Sequence, residues 1–400
     1  MKNSIPDQFL FDVVNQHQTH PQQAESDNNW SKLLCSGSNL WMDTGDFDAV
    51  SQLWTNEFSA LTTNNTLLNA EVQKGVYDAV INDVGKQLNG LSQEEKVNEV
   101  AFCLNAIHGL RLAKAFKCKV SVELHTDYAH DIEMTYQVGK RLFELCKEQF
   151  IIKVPFTAAG LIAARKLHDE RIPVNMTLCF SVRQNVLASM IAKPAYSNVF
   201  VGRVGAYFAN NGFTTAGHIG EKVTAEAQKC LRKVNERGYA TTKLIAASIR
   251  TAEQISDLAG TDVLTIPVGG VKEFNNRGYE ADSSIEMPSD ALIKQLNLKH
   301  LWQVNDQERG VAVKLSTKVP ANQNVLVEQF HKYGCHDIFP ELNENELKQI
   351  EEDGKIPQHN KWSGRIENFE IGIDTLLNKA GLYAFMKDQA ALDGRIVSYL

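Results

Sequence analysis

Short apolar segments of strand length alternate with amphipathic helical segments from Leu40 to about residue 275, and this alternation limits the folds open to the chain. Eight such strands are predicted, nearly all followed by a helix within about 240 residues, which matches a (β/α)₈ barrel. The alternative, a doubly wound open sheet, usually carries a glycine-rich first turn, and no GxGxxG or GxxxxGK motif follows any strand here. The predicted strands are Leu40–Asp43, Phe58–Thr63, Lys119–Leu124, Phe150–Pro155, Val174–Phe180, Asn198–Val204, Lys243–Ser248 and Asp262–Pro267.

Helix boundaries are marked by capping residues and glycines. Ser92, with Glu95 three residues later, forms a capping-box pattern, and Thr157 is placed to cap the helix after the fourth strand. Gly238 ends a helix whose apolar face includes Val223 and Val234. The other predicted helices of the barrel region are Phe47–Trp54, Leu67–Leu88, Ser92–Phe116, Asp131–Lys147, Ala158–Glu170, Arg183–Lys193 and Thr251–Ala259.

The segments on either side of the barrel are more polar than the barrel itself. Residues 1–38 form an N-terminal extension with one short helix predicted around Phe9–Val14. Residues 276–400 are mostly helical, and because their helices have apolar faces that need cover, we expect them to pack on a barrel of residues 39–275. A separate second domain is the alternative. The predicted helices of this extension are Asp290–Leu296, Asn324–Tyr333, Glu344–Asp353 and Ile366–Ala380, followed by the apolar tail residues Leu382, Tyr383 and Phe385.

Composition restricts the partners and the location of the protein. A hydrophobic content of 43% with 22% charged residues describes a soluble globular chain, and a formal charge of −7 gives no general attraction to nucleic acids or acidic membranes. No run approaches the ~20 apolar residues of a membrane span, and the first residues lack a signal-peptide pattern. The seven cysteines are widely spaced without a CxxC pair, as in reduced cytoplasmic thiols. We expect a cytoplasmic protein that binds neither nucleic acid nor membrane.

The fourth strand contains one residue that needs an explanation, Lys153 in the apolar segment Phe150–Gly160. Lysine is almost never fully buried unless it is paired or neutral. A lysine kept partly neutral by burial can attack a carbonyl carbon and form a Schiff base. The structural alternatives are an ion pair with one carboxylate, or an edge strand from which the side chain reaches water.

Polar side chains at the ends of the other strands supply groups that could act with this lysine. Active sites of such barrels lie at the carboxyl ends of the strands. One amine, two carboxylates, several amides and hydroxyls and two guanidinium groups suit Schiff-base aldol chemistry on a phosphorylated ketone. The residues at or just after the predicted strand ends are Asp43, Asn64, Glu123, Lys153, Asn175, Thr177, Ser181, Arg203, Ser248 and Arg250.

Each of these residues also has a purely structural interpretation. Asp43 or Asp46 could cap the following short helix, and Glu123 could be only an ion-pair partner of Lys153. Arg203 and Arg250 could pair with carboxylates in the helix layer. The amide and hydroxyl side chains of the fifth strand, Asn175 and Thr177, could close a polar layer inside the barrel.

The motifs together resemble those of the transaldolase family, barrel enzymes of the class I aldolase group. The resemblance covers roughly Leu40 to Phe274. The matching motifs are DTGD (Asp43–Asp46), the turn TTNNT (Thr62–Thr66), IIKVPFTAAG around Lys153, NMTLCFS (Asn175–Ser181), FVGR (Phe200–Arg203) and AASIRT (Ala246–Thr251).

The resemblance implies a role for each matching residue. Lys153 would be the Schiff-base nucleophile, Asp43 the acid/base for carbon–carbon cleavage, and Glu123 would act through a water held with Thr177. The residues implied to bind the sugar phosphate are Asn64, Asn175, Asn198, Ser181, Ser248 and Phe200 around the sugar, with Arg203 and Arg250 on the phosphate.

The implied reaction moves a dihydroxyacetone unit from a ketose phosphate to an aldose phosphate, as in the pentose phosphate pathway, without metal or organic cofactor. Sugar phosphates are therefore the expected partners, and a homodimer is one option for the assembly.

The chain departs from the family pattern at several positions, which bear on acceptor preference and rate more than on Schiff-base formation. The departures are Asn65 for the turn proline, His125 and Asp127 within the usual V-D-x-R stretch, Asn198 and Val199 for Ser-Pro, and no acidic residue in Val204–Tyr207.

Two alternatives to a transaldolase stay open on the sequence. A fructose-6-phosphate aldolase-like enzyme of the same fold would typically have Gln in place of Glu123 and Tyr in place of Phe200, so both positions favour transfer. The other alternative is a non-catalytic barrel with a binding role. Retention of Asp43, Glu123 and Lys153 argues against it, because an idle buried lysine would cost stability.

Overall fold

A computed structural model describes residues 4–16, 24–213, 218–279 and 298–400. Eight parallel strands close into a barrel in chain order, because β1 pairs with both β2 and β8. The predicted (β/α)₈ fold is therefore confirmed. The strands are β1 (Asn39–Asp43), β2 (Phe58–Thr62), β3 (Lys119–Glu123), β4 (Phe150–Pro155), β5 (Val174–Thr177), β6 (Tyr196–Phe200), β7 (Lys243–Ala247) and β8 (Val263–Pro267).

Helices precede, separate and follow the strands. Those up to the end of the barrel are α1 (Asp7–Gln16), α2 (Asn28–Cys35), α3 (Phe47–Leu53), α4 (Asn65–Gln73), α5 (Asp78–Gln87), α6 (Gln93–Phe116), the 3₁₀ helix Thr126–His130, α7 (Ile132–Leu145), α8 (Ala158–Asp169), α9 (Val182–Ile191), α10 (Val201–Asn210), α11 (Ile219–Glu236), α12 (Ala252–Asp257) and α13 (Val268–Arg277). The C-terminal helices are α14 (Lys299–Trp302), α15 (Asp306–Thr317), α16 (Gln323–Lys332), α17 (Glu344–Asp353), α18 (His359–Glu367) and α19 (Ile373–Val397).

The predicted caps are present. The Ser92 hydroxyl accepts from the Glu95 N–H at 3.2 Å while the Glu95 carboxylate accepts from the Ser92 N–H at 2.8 Å, which closes the capping box. The Thr157 hydroxyl accepts from the Gly160 N–H at 2.8 Å and starts α8 directly after β4. These caps set the helix starts, because they satisfy backbone N–H groups that have no partner within the helix.

Three predictions within the barrel region were wrong in their boundaries. The single helix predicted over Leu67–Leu88 is two helices, since the chain breaks at Gly75, whose φ of +83° is a backbone conformation that favours glycine. The sixth strand does not run to Val204. It ends at Phe200, and Arg203 lies in the first turn of α10. The fifth strand likewise ends earlier than predicted, at Thr177.

The N-terminal extension contains two helices where one was predicted. The second, α2, is capped by Asp27, whose carboxylate accepts from the Asn29 N–H at 2.8 Å. It places Trp30 between the rings of Phe58 and Phe274, at centroid distances of 5.0 and 4.2 Å. The extension therefore adds an aromatic residue to the core near the start of β2.

In the C-terminal extension the predictions were partly right. The helices α16 and α17 match, whereas the predicted helix Ile366–Ala380 is wrong because α18 ends at Glu367 and a new helix, α19, begins at Ile373. Phe369 in the connection has a φ of +58°, which no α-helix accommodates. The short helix α14 and helix α15 were not predicted, and the predicted helix Asp290–Leu296 lies outside the described residues.

The C-terminal helices pack on the barrel. Helix α15 contacts α9, α16 contacts α8, and α19 contacts α4, α6 and the 3₁₀ helix. Asn378 of α19 donates to the carbonyls of Phe156 and Leu178, which follow β4 and β5. The long helix α19 is thereby held over the carboxyl ends of the strands.

No helix of the described ranges is both long enough and apolar enough to cross a membrane.

Candidate active site

Three neighbouring strands bring Glu123, Lys153 and Asn175 to one level inside the barrel. Glu123 of β3 is the register partner of Lys153 on β4, which in turn is the partner of Asn175 on β5. Lys153 Nζ lies 3.6 Å from Glu123 Oε2, with only 4% and 5% of the two side chains exposed. Because register partners on parallel strands point to the same face, the lysine is directed into the barrel together with a carboxylate and an amide.

Lys153 has two further neighbours that restrict where its amine can lie. Its Nζ donates to the backbone carbonyl of Thr63 at 3.3 Å. The ring centroid of Phe385, on α19, lies 5.6 Å from the same nitrogen. The amine is therefore held between the turn after β2 and an aromatic ring that covers it, in a space with little access for water.

Glu123 is held by the backbone of the turn after β2. The Asn65 N–H donates to Glu123 Oε2 at 3.3 Å, and the Asn65 side chain donates to the carbonyl of Leu124 at 3.1 Å. A proline at this position would have no N–H to donate. Burial raises the pKa of Glu123 above its usual value, and the charge of Lys153 opposes that rise only in part. This environment suits a carboxyl group that takes up and releases protons.

Asp43 lies at the carboxyl end of β1 and does not cap a helix. The cap of α3 is Asp46, whose carboxylate accepts from the Ala49 N–H at 3.0 Å. Burial raises the pKa of Asp43, while the charges of Lys153 and Arg203 act to lower it. The carboxyl group of Asp43 therefore lies within electrostatic range of the lysine from the opposite side of the barrel.

Several buried polar atoms near Lys153 have no hydrogen-bond partner within the described chain. They include Thr177 Oγ1 and Asn198 Oδ1. Asn175, by contrast, donates to Ser121 Oγ at 3.1 Å and accepts from Asn198 Nδ2 at 3.4 Å. Unsatisfied buried acceptors and hydroxyls are costly unless a ligand or water meets them. This part of the barrel therefore has hydrogen-bonding capacity for a hydroxylated molecule.

Arg203 lies beside the site and forms no ion pair with a carboxylate of the described residues. Its guanidinium carbon is 5.1 Å from the Phe200 ring and 5.4 Å from the Phe385 ring, and Nη1 is buried without a hydrogen bond to any described residue. Burial and the nearby charge of Arg250 together lower the pKa of Arg203 to about 10. Two guanidinium groups placed together in this way form a site for a dianion.

Gly202 allows Arg250 to approach this position. The Gly202 N–H donates to the Ser248 carbonyl at 3.1 Å, and a Cβ on Gly202 would lie 2.3 Å from that oxygen and 2.7 Å from Arg250 Nε. Ser248 itself has a φ of +59°. The loops after β6 and β7 are thus in direct contact, and this contact aligns the two arginines.

A family model described as Transaldolase/Fructose-6-phosphate aldolase matches residues 40–331 of the chain, which is well over half of it. The chain belongs to the transaldolase/fructose-6-phosphate aldolase family. We call Asp43, Glu123, Lys153, Asn175, Thr177, Asn198, Arg203 and Phe385 the Lys153 group. The match includes every member that the barrel supplies, and it covers all eight strands except Asn39 at the start of β1.

Individual members of the family are similar to this chain in sequence. A "Probable transaldolase" of Dictyostelium discoideum is 30% identical over 290 residues, covering 66% of this chain and 86% of its own. The transaldolase of Xanthomonas euvesicatoria pv. vesicatoria (strain 85-10) is 33% identical over 233 residues, covering 56% and 71%. That of Schizosaccharomyces pombe is 27% identical over 309 residues, covering 72% and 93%. The chain is an enzyme of the transaldolase type.

In this member of the transaldolase/fructose-6-phosphate aldolase family, two of the expected substrate ligands are engaged elsewhere. The Ser181 hydroxyl donates to Asp374 Oδ2 at 2.6 Å and accepts from the Gln184 N–H, so it belongs to the contact with α19. Asn64 Oδ1 accepts from the Leu67 N–H at 2.9 Å and caps α4. The Ser181 hydroxyl is therefore already hydrogen-bonded within the protein, whereas Asn64 keeps its amide nitrogen available.

The family motifs gave no indication of the contribution from α19. Phe385 reaches both Lys153 and Arg203, and Gly381 allows the helix to lie close, since a Cβ there would be 3.0 Å from Arg203 Nη1. His125, a departure from the family pattern, is also explained by this helix: its Nε2 lies 3.2 Å from Asp393 Oδ2. The only sequence signal for these contacts is the apolar tail around Leu382 and Phe385.

One group of described residues has a geometry suited to a cation. His218, Glu221 and Asp257, at the start of α11 and the end of α12, place one ligand atom each within 4.8 Å of one another. No member of the Lys153 group takes part in it.

Proposed function

We propose that the protein is a transaldolase that transfers a dihydroxyacetone unit from a ketose phosphate to an aldose phosphate through a Schiff base on Lys153. The donors would be sedoheptulose 7-phosphate or fructose 6-phosphate, and the acceptors glyceraldehyde 3-phosphate or erythrose 4-phosphate. One observation carries the proposal: a lysine amine inside a closed barrel, 3.6 Å from a carboxylate, with a second carboxyl group across the barrel in electrostatic range.

The first step forms the Schiff base. Nζ of Lys153 attacks the C2 carbonyl carbon of the ketose, and the resulting carbinolamine loses its hydroxyl group as water. That departure needs a proton, which Glu123 would supply through a water held with the Thr177 hydroxyl. The raised pKa of Glu123 supports this role, because a carboxyl group whose pKa is shifted toward neutrality donates and accepts protons efficiently.

The second step breaks the bond between C3 and C4. Asp43 would take the proton of the C4 hydroxyl, the electron pair of the C3–C4 bond moves into the iminium group, and the aldose phosphate leaves with its new carbonyl. The enamine that remains on Lys153 then attacks the carbonyl carbon of an acceptor, and Asp43 returns the proton to the oxygen of that carbonyl. Water then hydrolyses the resulting iminium, which releases the new ketose phosphate and regenerates the amine of Lys153. The raised pKa of Asp43 supports this proton shuttle.

The remaining residues of the site would position the sugar phosphate. Arg203 and Arg250 would hold the phosphate group, with Asn175 and Asn198 on the sugar hydroxyls. Asn64 and Ser248 lie on the adjoining loops, and Phe200 packs against the guanidinium of Arg203. An anion would complete the hydrogen bonds that Nη1 of Arg203 lacks.

Replacing Arg203 with methionine is expected to raise KM for fructose 6-phosphate by about 10- to 100-fold, because a hydrogen bond to a charged group contributes roughly 1.5–3 kcal/mol. The turnover number should change much less, since the phosphate is bound equally in the ground and transition states. Steady-state kinetics with fructose 6-phosphate and with fructose would measure both effects. The exposed Arg237 provides a matched control in Arg237→Met. An equal loss with the phosphate-free sugar would exclude the phosphate role.

Dihydroxyacetone release distinguishes a transaldolase from a fructose-6-phosphate aldolase. The resemblance of the motifs favours transfer, because Glu123 and Phe200 stand where the aldolase group typically has Gln and Tyr. We expect little free dihydroxyacetone from fructose 6-phosphate alone and rapid turnover once erythrose 4-phosphate or glyceraldehyde 3-phosphate is added. Coupled assay of dihydroxyacetone with and without acceptor would measure this. Rapid release without acceptor would make the aldolase the correct assignment, and no reaction in either case would favour a non-catalytic barrel.

We also propose a metabolic pathway and a cellular compartment for the protein, and a division of its chain into a catalytic barrel and extensions. A transaldolase acts in the pentose phosphate pathway, and seven cysteines without a disulfide are compatible with the reducing cytoplasm. We assign catalysis to the barrel of residues 39–275, with residues 276–400 as an extension that covers it, although Phe385 shows that the extension also reaches the site. The homodimer stays a prediction.

A further inference from the structure

A cavity lies between the barrel and the C-terminal helices, separate from the Lys153 group. Its volume is about 390 Å³, within the range of small-molecule sites. The end of the 3₁₀ helix, the start of α8, one face of α16 and part of α19 border it. The basic residues that line it are His130, His331 and Lys379, one from each of three separate elements.

Lys379 is a cation without a partner in the described part of the chain. Burial lowers its pKa, and no carboxylate contributes an opposing effect. Its neighbour Asn378, in contrast, is fully engaged with the carbonyls of Phe156 and Leu178. A largely buried ammonium without a counterion is unfavourable. A lysine that lacks a carboxylate partner, such as Lys379, would therefore stabilise an anion bound in the cavity more strongly than a lysine that already has one.

The two histidines add hydrogen-bond donors to the lining of the cavity. Nε2 of His331 is buried without a hydrogen-bond partner among the described residues, and its ring packs against that of His336 at a centroid distance of 4.6 Å. Desolvation lowers the pKa of His130, and the positive charge of Lys379 lowers it further, so these two groups lie within electrostatic range. Both rings can donate an N–H to an anion.

The acidic groups that line the cavity leave Lys379 without a direct counterion. Glu328 and Glu341 line the cavity, but neither forms an ion pair with Lys379. Thr157 and Ala158, at the amino end of α8, also border it. The amino end of a helix carries partial positive charge and favours anions. Basic groups and a helix terminus thus converge on one cavity from the barrel and from the extension.

We propose that this cavity binds a phosphate group, either as inorganic phosphate or as the phosphomonoester of a small metabolite. The inference stands independently of the function proposed for the Lys153 group, none of whose members lines the cavity. An anion bound to Lys379 would join α19 to the 3₁₀ helix and to α8. Binding is therefore expected to stabilise the attachment of the C-terminal helices.

Histidine ring signals in the NMR spectrum provide a direct test. The Arg203→Met background weakens phosphate binding beside Lys153, and titrations with inorganic phosphate and with glycerol phosphate separate the two sources. We expect saturable shifts of the His130 and His331 signals. The additional change Lys379→Met should weaken the binding at least about tenfold, in keeping with the loss of a charged hydrogen-bond donor. Lys387→Met, an exposed position on the same helix, should leave the binding unchanged.

The thermal midpoint provides a second measure that does not depend on assigned signals. Without phosphate, Lys379→Met should raise the midpoint, because the uncompensated ammonium is removed. Phosphate should raise the midpoint of the Arg203→Met protein but not that of the double variant. The proposal would be overturned if neither anion shifted the histidine signals, or if the Lys379→Met protein bound phosphate with equal affinity. It would also be overturned if Lys379→Met lowered the thermal midpoint without phosphate. A response to glycerol phosphate alone would assign the site to a phosphomonoester.

Discussion

The Lys153→Met protein is expected to lose transfer activity by more than about 10⁴-fold, as seen when an enzyme loses the nucleophile of a covalent mechanism. Methionine has a similar length and is apolar, so the barrel interior should accept it. Glu123 would remain buried without its partner, but its pKa is already raised and protonation would remove its charge. The loss should therefore be one of chemistry and not of folding.

Lys119→Met is the matched control for this change. Lys119 is also a strand lysine, at the amino end of β3, but it is exposed and lies at the other end of the barrel from the site. We expect its activity to remain within about threefold of the unmodified protein, as for surface changes that cost less than about 0.5 kcal/mol. Circular dichroism and the thermal midpoint would verify that both variants fold. Full transfer activity in the folded Lys153→Met protein would exclude the Schiff-base mechanism.

Arg183→Met is expected to lower the free energy of unfolding by about 3–5 kcal/mol, because it leaves buried carboxylates without their counterion. The Arg183 side chain is 2% exposed and pairs with three carboxylates. Its Nη2 lies 2.7 Å from Asp374, and its Nη1 lies 3.0 Å from Glu308 and 2.7 Å from Asp337. Arg183 belongs to α9 of the barrel, whereas all three carboxylates belong to the C-terminal extension. The cluster therefore fastens the extension to the barrel.

Urea denaturation would measure the decrease in the free energy of unfolding caused by Arg183→Met. Arg237→Met is the exposed control, and we expect it to change stability by less than about 0.5 kcal/mol. Asp374→Asn should cost less than Arg183→Met, since Arg183 retains two carboxylates. Because α19 begins at Ile373, beside this cluster, and carries Phe385, the Arg183→Met protein should also lose activity at temperatures where its barrel is still folded. A loss of stability below about 1 kcal/mol would show that the cluster does not fasten the extension.

The sequence predicted the barrel well because local signals agree with the global fold. Apolar segments bounded by caps such as Ser92 and Thr157 place the strands and most of the barrel helices within a few residues, but α10 and α13 were not predicted. Parallel pairing then brings the ends of neighbouring strands together, so Glu123, Lys153 and Asn175 were expected to meet, and they do. The proximity of Asp43 follows from closure of the same barrel.

What the sequence did not predict depends on contacts between residues far apart in the chain. No local pattern indicates that Phe385 covers Lys153, that Asp374 accepts a hydrogen bond from the Ser181 hydroxyl, or that Asp393 pairs with His125. A helical period shows that a helix has an apolar face but not which surface it covers. Arg203 was misplaced for a local reason, since the apolar run around it suits both a strand and a helix.

Borohydride trapping tests the central claim most directly. A Schiff base between Lys153 and a ketose phosphate is reduced by borohydride to a stable secondary amine. Mass spectrometry of the intact protein and of its peptides locates the addition. We expect one dihydroxyacetone-derived or ketose-derived adduct per chain, on the peptide that contains Lys153, and none in the Lys153→Met protein. An adduct on another lysine, or undiminished labelling of the variant, would contradict the assignment of Lys153 as the nucleophile.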